Sequence, residues 1–296
     1  MNILITGANG QLGNEMRNLS VQHPPHTYFF SDITEPAVLP STIHNPQSTT
    51  YPLDITDREA LQSFVNAHAI DIIVNCAAYT NVDKAEEDEV TARLINALAV
   101  ENIGSLGTKV IHISTDYVFL GEGSVPCKES DPVNPQTAYG RTKLEGEQRL
   151  LAVNPEAVIL RTAWLYSPYG NNFVKTMLRL GKERDELRVV NDQIGTPTYA
   201  ADLAAAIFAV IEAPQWQAGI YHFTNEGVCS WYDFTVEILR QAGVECKVTP
   251  ILSSEYQYKT PRPHYSVLDK TKIKTTFGIT IPEWEDGLKR CLMCNM

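Results

Sequence analysis

Short apolar runs alternate with amphipathic segments along the first 160 or so residues. The apolar runs are typical of buried strands and lie at 2–6, 28–30, 71–75, 109–113 and 158–160. The amphipathic segments predict helices at 11–19, from Thr56 to about Ala67, at about 89–103 and from Thr137 to about Leu151. Because strands and helices alternate, we expect an α/β fold, a doubly wound parallel sheet of the Rossmann type.

The pattern changes after Trp164. Here helices are predicted at 172–181, 200–212, 230–242 and from Glu283 onward, with strands at 187–190 and 220–223. We predict a dinucleotide-binding domain at 1–164. Residues 165–296 should mainly form a smaller C-terminal α/β substrate lobe, which is discontinuous because about 191–215 returns to the first domain. The stretch 33–51 is rich in Pro, Ser and Thr and is interpreted as an irregular surface excursion.

Charge and composition narrow the function classes. The net charge is −11 and no Lys/Arg cluster exceeds a pair, which argues against a nucleic-acid or anionic-membrane surface. No apolar stretch approaches the ~20 residues that span a bilayer, and the N-terminus does not resemble a signal peptide. We expect a soluble cytoplasmic protein.

The six cysteines are scattered, as reduced thiols of a cytosolic enzyme would be. Cys291 and Cys294 have the spacing of a redox or metal motif. However, no second pair and no nearby histidine completes a zinc site. The sequence therefore predicts no metal.

Three glycines follow the first predicted strand and precede the first helix. They are Gly7, Gly10 and Gly13, spaced three and three. Glycine permits a tight turn and lets a pyrophosphate approach the backbone, while the helix N-terminus offers free N–H groups and a positive dipole end. A plain glycine-rich turn is the alternative. The position between strand and helix favours a dinucleotide site.

Other residues extend this predicted site. Asp32 ends the second strand, where a carboxylate can accept hydrogen bonds from the adenosine ribose. It would repel a 2′-phosphate, which favours NAD(H), although Arg17 leaves NADPH open; a solvated loop acid is the alternative. Asp54 and Ile55 could meet the adenine, with a helix cap or turn as the alternative for Asp54. The small residues Ala77 and Ala78 indicate either a close cofactor approach or tight packing.

A second cluster indicates proton transfer. Tyr139 stands four residues before Lys143, so the two share one helix face. A free tyrosine has a pKa of ~10, and we expect an adjacent ammonium to lower it. Thr115 ends a strand at the carboxyl edge, where its hydroxyl could bond a reacting carbonyl. An ordinary amphipathic helix is the alternative, but the glycine loop favours a nicotinamide-dependent oxidoreductase.

These residues resemble those of the extended short-chain dehydrogenase/reductase superfamily and, within it, the dTDP-4-dehydrorhamnose reductases over nearly the whole chain. The supporting segments are Gly7–Gly13, Val74–Thr80, Val82–Glu86, Ser114–Phe119, Tyr139–Lys143, Arg161–Trp164, Gly170–Phe173, Asn191–Thr198, Arg262–Pro263 and Ser266–Leu268. Related dehydratases carry an Asp-Glu pair after the catalytic Thr. Here Asp116-Tyr117 follows Thr115, which favours simple reduction.

The resemblance implies reduction of the 4-keto group of dTDP-4-dehydro-L-rhamnose by NADPH or NADH, for cell-surface polysaccharide biosynthesis, by a possible homodimer. Thr115, Tyr139 and Lys143 would be catalytic. Implied cofactor contacts are Gly10, Gln11, Leu12, Asp32, Asp54, Ile55, Ala78, Tyr79, Thr80, Tyr139 and Lys143. Implied substrate contacts are Thr115, Asp116, Trp164 and Arg262; a core Trp and a surface salt bridge are the alternatives for the last two.

Two features depart from the family pattern, namely the long 33–51 excursion and the pair His264-Tyr265 after Pro263. Two other functions compete with the implied one. One is a different nucleotide-sugar reductase or epimerase. The other is a non-catalytic, dinucleotide-binding regulatory subunit.

Overall fold

The computed structural model describes residues 1–34 and 50–294, so most of the predicted 33–51 excursion lies outside the described residues. The strands of the described chain are short. They are β1 Asn2–Thr6, β2 Thr27–Asp32, β3 Thr50–Pro52, β4 Ile72–Asn75, β5 Lys109–Thr115, β6 Val158–Thr162, β7 Leu165–Tyr166, β8 Glu186–Val190, β9 Ile194–Gly195, β10 Thr198–Tyr199, β11 Gly219–His222, β12 Cys229–Ser230 and β13 Lys247–Ile251.

Seven of these strands form one sheet in the order β11-β6-β5-β4-β1-β2-β3. Every pairing in this sheet is parallel. The strand order reverses between β1 and β4, and such a switch point is where open α/β sheets bind ligands. The predicted doubly wound, Rossmann-type fold is confirmed.

The helices cover both faces of this sheet and build the lobe. They are α1 Gln11–Ser20, α2 Arg58–His68, α3 Val82–Glu87, α4 Glu89–Arg93, α5 Ala99–Gly104, α6 Ala138–Val153, α7 Phe173–Glu183, α8 Ala200–Ile211, α9 Trp231–Ala242, α10 Thr271–Phe277 and α11 Trp284–Met293. Alternate residues of β1 point to opposite faces. Ile3 and Ile5 pack with α1 and α8, whereas Leu4 packs with α2, α5 and α6.

Two helix predictions were wrong in detail. The helix predicted from Thr56 begins instead at Arg58, and Asp57 caps it, since the Asp57 carboxylate accepts a hydrogen bond from Ala60 N at 3.0 Å. The helix predicted at 89–103 is interrupted by a π-helical turn at Leu94–Leu98. The Asn96 side chain turns inward to bond both backbone groups of Tyr79, and the bare Gly146 of α6 packs against Asn96 O. This packing accounts for the wider turn.

The remaining strands pair two by two near the carboxyl end of the sheet: β7 with β10, β9 with β12, and β8 with β13. Helices α7, α9 and α11 enclose an aromatic cluster beside them. Helix α8 instead packs on α1, and β11 completes the main sheet. Among residues 1–34 and 50–294, no helix is long and apolar enough to cross a membrane, and no group of three His, Cys, Asp or Glu side chains is placed to hold a metal ion.

Candidate active site

A cavity of about 850 Å³ opens at the carboxyl end of the sheet, between the sheet and the lobe. This size is in the range of ligand-binding clefts. Of the predicted site residues, those that line it are Gly7, Gly10, Gln11, Leu12, Ala78, Thr80, Thr115, Asp116, Tyr139, Lys143, Trp164 and Arg262. The switch point of the sheet and the proton-transfer cluster therefore share one space.

Six predicted residues do not line this cavity: Gly13, Asp32, Asp54, Ile55, Ala77 and Tyr79. Each has a structural task in the described chain. Ile55 belongs to the core beneath α2, and Tyr79 is tied to Asn96 through its backbone. The Asp54 carboxylate accepts hydrogen bonds from Thr56 N and Oγ1, both at 2.8 Å, which is the turn that the sequence left as an alternative.

The glycine loop is packed so closely that side chains are excluded. Gly7 has a φ of +63°, and a Cβ there would lie 2.6 Å from Ala77 N. A Cβ on Gly13 would lie 2.4 Å from Gly7 O. Gly10 is the N-cap of α1 and supplies no side chain to its first N–H groups. The bare backbone and the free helix N-terminus fit the pyrophosphate of a dinucleotide.

Asp32 stands beside the glycine loop and helps to fold it. Its carboxylate accepts hydrogen bonds from Asn9 N at 3.0 Å and from Thr34 Oγ1 at 3.1 Å. Arg17 lies close enough for attraction to Asp32, and its guanidinium stacks 4.4 Å from the Phe30 ring. Burial lowers the pKa of Arg17, with the Asp32 charge acting against this. A ribose contact by Asp32 stays a prediction.

The start of α6 places the tyrosine. Thr137 caps this helix by accepting a hydrogen bond from Gly140 N at 3.0 Å. A Cβ on Gly140 would lie 2.3 Å from Tyr117 O, so only glycine allows α6 to approach the residues after β5. Tyr139 is thereby brought close to Thr115, whose hydroxyl acts to lower the pKa of the phenol.

Thr115 and Asp116 form a polar edge next to this phenol. Thr115 Oγ1 donates to Asp116 Oδ1 at 3.0 Å and accepts from Tyr117 N at 3.2 Å. Burial raises the pKa of the Asp116 carboxyl to about 7, and the hydrogen bond from Thr115 opposes that rise. At neutral pH this carboxyl is therefore partly protonated and able to donate as well as accept.

The expected lowering of the Tyr139 pKa was wrong. Burial raises the pKa of Tyr139 to about 12, and the nearby Thr115 hydroxyl only partly offsets this rise. Lys143 does share the predicted helix face, but its Nζ donates to Ile113 O at 2.6 Å and lies 3.3 Å from His112 Nε2. Burial lowers the pKa of Lys143 to about 8. For both groups the loss of hydration on burial is the largest cause of the pKa shift.

The lobe supplies an aromatic wall. Trp164 stacks on Trp231 with ring centroids 3.5 Å apart and planes 10° from parallel. Trp164 has a φ of +50°, in the left-handed region, and a Cβ on Gly195 would lie 2.6 Å from its indole. Trp164 packs against the lobe cluster and also lines the cavity, and its contact with the substrate stays a prediction.

Arg262 lines the cavity and also forms the salt bridge that was its alternative interpretation, while its contact with substrate stays a prediction. Its Nη2 donates to Asp83 Oδ2 at 2.8 Å, and its side chain is only 20% exposed at the cavity wall. The guanidinium lies 6.0 Å from the Tyr258 ring. The predicted salt bridge therefore exists, but inside the site rather than on the open surface.

Several cavity residues were not predicted as site residues. Tyr117 directly follows Asp116, and Gln193 lies in the run Asn191–Thr198. Both segments supported the family resemblance, but neither residue was predicted to belong to the site. Gln193 Nε2 donates to Tyr258 OH at 3.0 Å. Trp231 and Tyr258 come from lobe segments that carry no motif, so only the folded contacts reveal them.

Comparisons with known proteins agree with this geometry. The family model described as "RmlD substrate binding domain" matches residues 1–295. The dTDP-4-dehydrorhamnose reductase of Escherichia coli K12 is 40% identical over 306 residues, covering 99% of this chain and 97% of that protein.

Two solved structures are similar over almost their full length. A dTDP-4-dehydrorhamnose reductase from Clostridium acetobutylicum has a TM-score of 0.90 and 44% identity, with both chains covered completely. The enzyme of that name from Bacillus anthracis, in complex with NADP, has a TM-score of 0.88 and 37% identity, with 100% and 99% coverage. These matches agree with the positions of the glycine loop, Thr115 and Tyr139 in the cavity. The chain therefore belongs to the RmlD substrate binding domain family, which is the family of the dTDP-4-dehydrorhamnose reductases.

Proposed function

We propose that this protein reduces the 4-keto group of dTDP-4-dehydro-L-rhamnose to give dTDP-L-rhamnose for cell-surface polysaccharide biosynthesis, with hydride supplied by bound NADPH or NADH. Membership of a family whose relatives carry that name supports the proposal. The carrying observation is that Tyr139, Thr115 and Lys143 line the same cavity as the glycine loop, with the Thr115 hydroxyl near enough to the phenol to affect its pKa.

Tyr139 acts as the proton donor. With a pKa raised to about 12 by burial, its phenol stays protonated at neutral pH. An oxygen that gains negative charge as hydride arrives at its carbon is a far stronger base than a neutral ketone. It therefore takes the Tyr139 proton, and the C–O double bond becomes an alcohol. A phenol that holds its proton suits reduction better than the reverse reaction.

Thr115, Asp116 and Lys143 support this transfer. Thr115, whose hydroxyl lies near the phenol at the cavity wall, would help to hold the reacting carbonyl oxygen beside Tyr139. Asp116, with its pKa near 7, offers a second donor for a sugar hydroxyl. Lys143 Nζ is fixed by Ile113 O beneath the cavity, where its charge stabilises the phenolate once the proton has left.

Substrate binding is assigned mainly to the lobe. The stacked Trp164 and Trp231 offer an apolar face to a 6-deoxysugar. Arg262 is the cation for the substrate pyrophosphate and would exchange or share its bond to Asp83. In this division residues 1–164 hold the dinucleotide, 165–296 mainly hold the nucleotide sugar, and 191–215 returns to the first part through α8. The cytoplasmic location and the homodimer belong to the same proposal.

The test is Tyr139→Phe. Because this change removes only the phenolic oxygen, we expect kcat with dTDP-4-dehydro-L-rhamnose to fall by about 10²–10⁴-fold while dinucleotide affinity is kept. Coenzyme oxidation gives kcat, and fluorescence titration gives affinity. The matched control is Tyr232→Phe on α9, which does not line the cavity and should keep kcat.

Near-normal turnover of Tyr139→Phe would contradict the assigned proton donor. The wild-type protein must also reduce the dTDP sugar faster than UDP-ketosugars. A preference for a UDP sugar would favour the other nucleotide-sugar reductases or epimerases. Coenzyme binding without oxidation by any ketosugar would favour the regulatory-subunit alternative.

A further inference from the structure

A row of buried polar side chains crosses the sheet directly beneath the cavity. Thr6 of β1 stands opposite Asn75 of β4, which stands opposite His112 of β5. Thr6 Oγ1 bonds Asn75 Oδ1 at 2.7 Å, and Asn75 Nδ2 lies 3.0 Å from His112 Nδ1. The other ring nitrogen, Nε2, lies 3.3 Å from Lys143 Nζ. All four side chains are at most 2% exposed, and Thr6, Asn75 and His112 do not line the cavity, so water does not replace a missing bond among these three.

The hydroxyl of Thr6 decides which groups donate and which accept hydrogen bonds along this row. The Thr6 hydroxyl must donate its proton, and among the described residues Asn75 Oδ1 is its acceptor. Turning the Asn75 amide over would leave that buried hydroxyl proton without an acceptor. Asn75 therefore presents its NH₂ group to His112. Since an amide nitrogen only donates, His112 Nδ1 must accept.

The tautomer of His112 is thereby fixed. Burial, followed by repulsion from Lys143, lowers the pKa of His112 well below its ordinary value, so the ring is neutral and carries one proton. With Nδ1 accepting, that proton is on Nε2 and points at Lys143 Nζ. An ammonium has no lone pair to accept it, whereas a neutral amine has one.

The other groups around Lys143 do not cancel the preference of His112 Nε2–H for a neutral amine. Ile113 O accepts one N–H of Lys143 in either charge state. The charge of Glu147 favours the ammonium, but Arg161 binds both oxygens of Glu147, at 2.9 and 2.7 Å, and Ser114 Oγ donates to it as well. The charge of Glu147 is therefore largely neutralised by Arg161. Tyr139 and Asp116 line the same cavity on its open side.

We propose that His112, held as its Nε2–H tautomer by Asn75 and Thr6, is a positioning residue that favours the neutral amine of Lys143 over its ammonium. The inference rests on the proposed reduction only for its effect on turnover. Lys143 supports the phenolate of Tyr139 as a cation, so His112 sets the upper pH limit of the reaction.

The first experiment reads the tautomer directly in the protein itself. Long-range nitrogen–proton correlation spectra of 15N-histidine-labelled protein distinguish Nε2–H, Nδ1–H and doubly protonated rings, and His112→Gln identifies the His112 signals. We expect a neutral ring with its proton on Nε2 throughout pH 6–8. A proton on Nδ1, or a charged ring in this range, would overturn the proposal.

The second experiment measures the pKa of Lys143 in 13C-lysine-labelled protein, with Lys143→Met for assignment. In His112→Gln the new amide can turn its oxygen toward Nζ and bond the ammonium. We expect the Lys143 pKa to rise from about 8 by about one unit, the scale of one hydrogen bond to a charged group. An unchanged or lower pKa contradicts the proposal.

His26→Gln is the matched control, because burial also lowers the pKa of His26 but this residue precedes β2 at the opposite end of the sheet. It should leave the Lys143 pKa unchanged. Turnover then gives a third reading, since the alkaline limb of kcat should move to higher pH in His112→Gln. If the wild-type protein does not reduce the sugar, the proposed function fails, while the tautomer and the Lys143 pKa still decide the inference.

Discussion

The sheet edge and the lobe wall hold the two sides of one cavity by opposite means. At the sheet edge, Thr115 and Lys143 are 4% and 2% exposed, and each is fixed by hydrogen bonds to strand residues or their immediate neighbours. At the lobe wall, Trp164 and Trp231 are partly exposed and held by ring stacking between segments far apart in the chain.

This difference suggests that the sheet edge performs the proton transfer and the lobe wall recognises the sugar. Buried hydrogen bonds fix a reacting group to within a small distance, which proton transfer requires. Stacked rings provide area rather than direction and tolerate changes of shape better. We therefore expect damage to the sheet edge to affect folding or kcat, and damage to the lobe wall to affect mainly the KM for the sugar.

The largest effect should follow from breaking the buried ion pair behind the sheet edge. Glu147 and Arg161 are 1% and 2% exposed, and Glu147→Ala leaves the Arg161 cation buried without its partner. We expect the free energy of unfolding to fall by about 3–5 kcal/mol, measured by urea denaturation. Glu145→Ala, on the same helix and paired with Arg93 at a partly exposed site, should cost about 0–1 kcal/mol. Equal losses in both variants would show that burial does not distinguish the two pairs.

A smaller effect is expected at the lobe wall. Trp231→Leu keeps an apolar side chain but removes the ring that stacks on Trp164. The KM for the dTDP sugar should rise about tenfold, which is about 1.4 kcal/mol, with kcat changed by less than about threefold. Steady-state kinetics gives both values. Trp216→Leu serves as control, because Trp216 Nε1 bonds Glu156 O just before β6, at the opposite end of the sheet. A fall in kcat with an unchanged KM would contradict the division of roles.

The smallest effect is expected at Asp32, which lies at the end of β2 beside the glycine loop. Asp32→Asn removes the charge that repels a 2′-phosphate but keeps an oxygen to accept from Asn9 N. The ratio of kcat/KM for NADPH to that for NADH should rise about three- to tenfold. Asp71→Asn makes the same change at the amino end of the sheet, where Asp71 accepts from Asn2 N, and should leave the ratio as it is. An unchanged ratio in Asp32→Asn would place Asp32 away from the ribose and assign it to the glycine loop alone.

The sheet edge was largely predictable because its residues follow local rules. Apolar runs mark the strands, and parallel strands bring their carboxyl ends together, so Gly7 and Thr115 had to meet. The i, i+4 spacing placed Tyr139 and Lys143 on one helix face. What the pattern could not give was the balance of burial against charge, and so the direction of the Tyr139 pKa shift was wrong.

The lobe wall was less predictable because its strands have only two residues at β7, β9, β10 and β12. Segments this short carry no period. The partner of Trp164 is chosen by packing between distant parts of the chain, and nothing around Trp231 in the sequence indicates a site. The sequence did not indicate a role for His112, because a single histidine in an apolar strand belongs to no motif. Its partner Asn75 lies beside it only after β4 and β5 pair.

Trp164 has a wider consequence through its backbone. It is one of two non-glycine residues with positive φ among residues 1–34 and 50–294, and it occupies the bend between β6 and β7, where the chain leaves the sheet for the lobe. A left-handed tryptophan is strained by roughly 1–2 kcal/mol, so the Trp231 stack and the space left by Gly195 must hold it there. Trp164 thus forms both the backbone bend between β6 and β7 and part of the cavity wall. A substitution at Trp164 that reshapes the cavity wall would therefore also change the backbone conformation between β6 and β7.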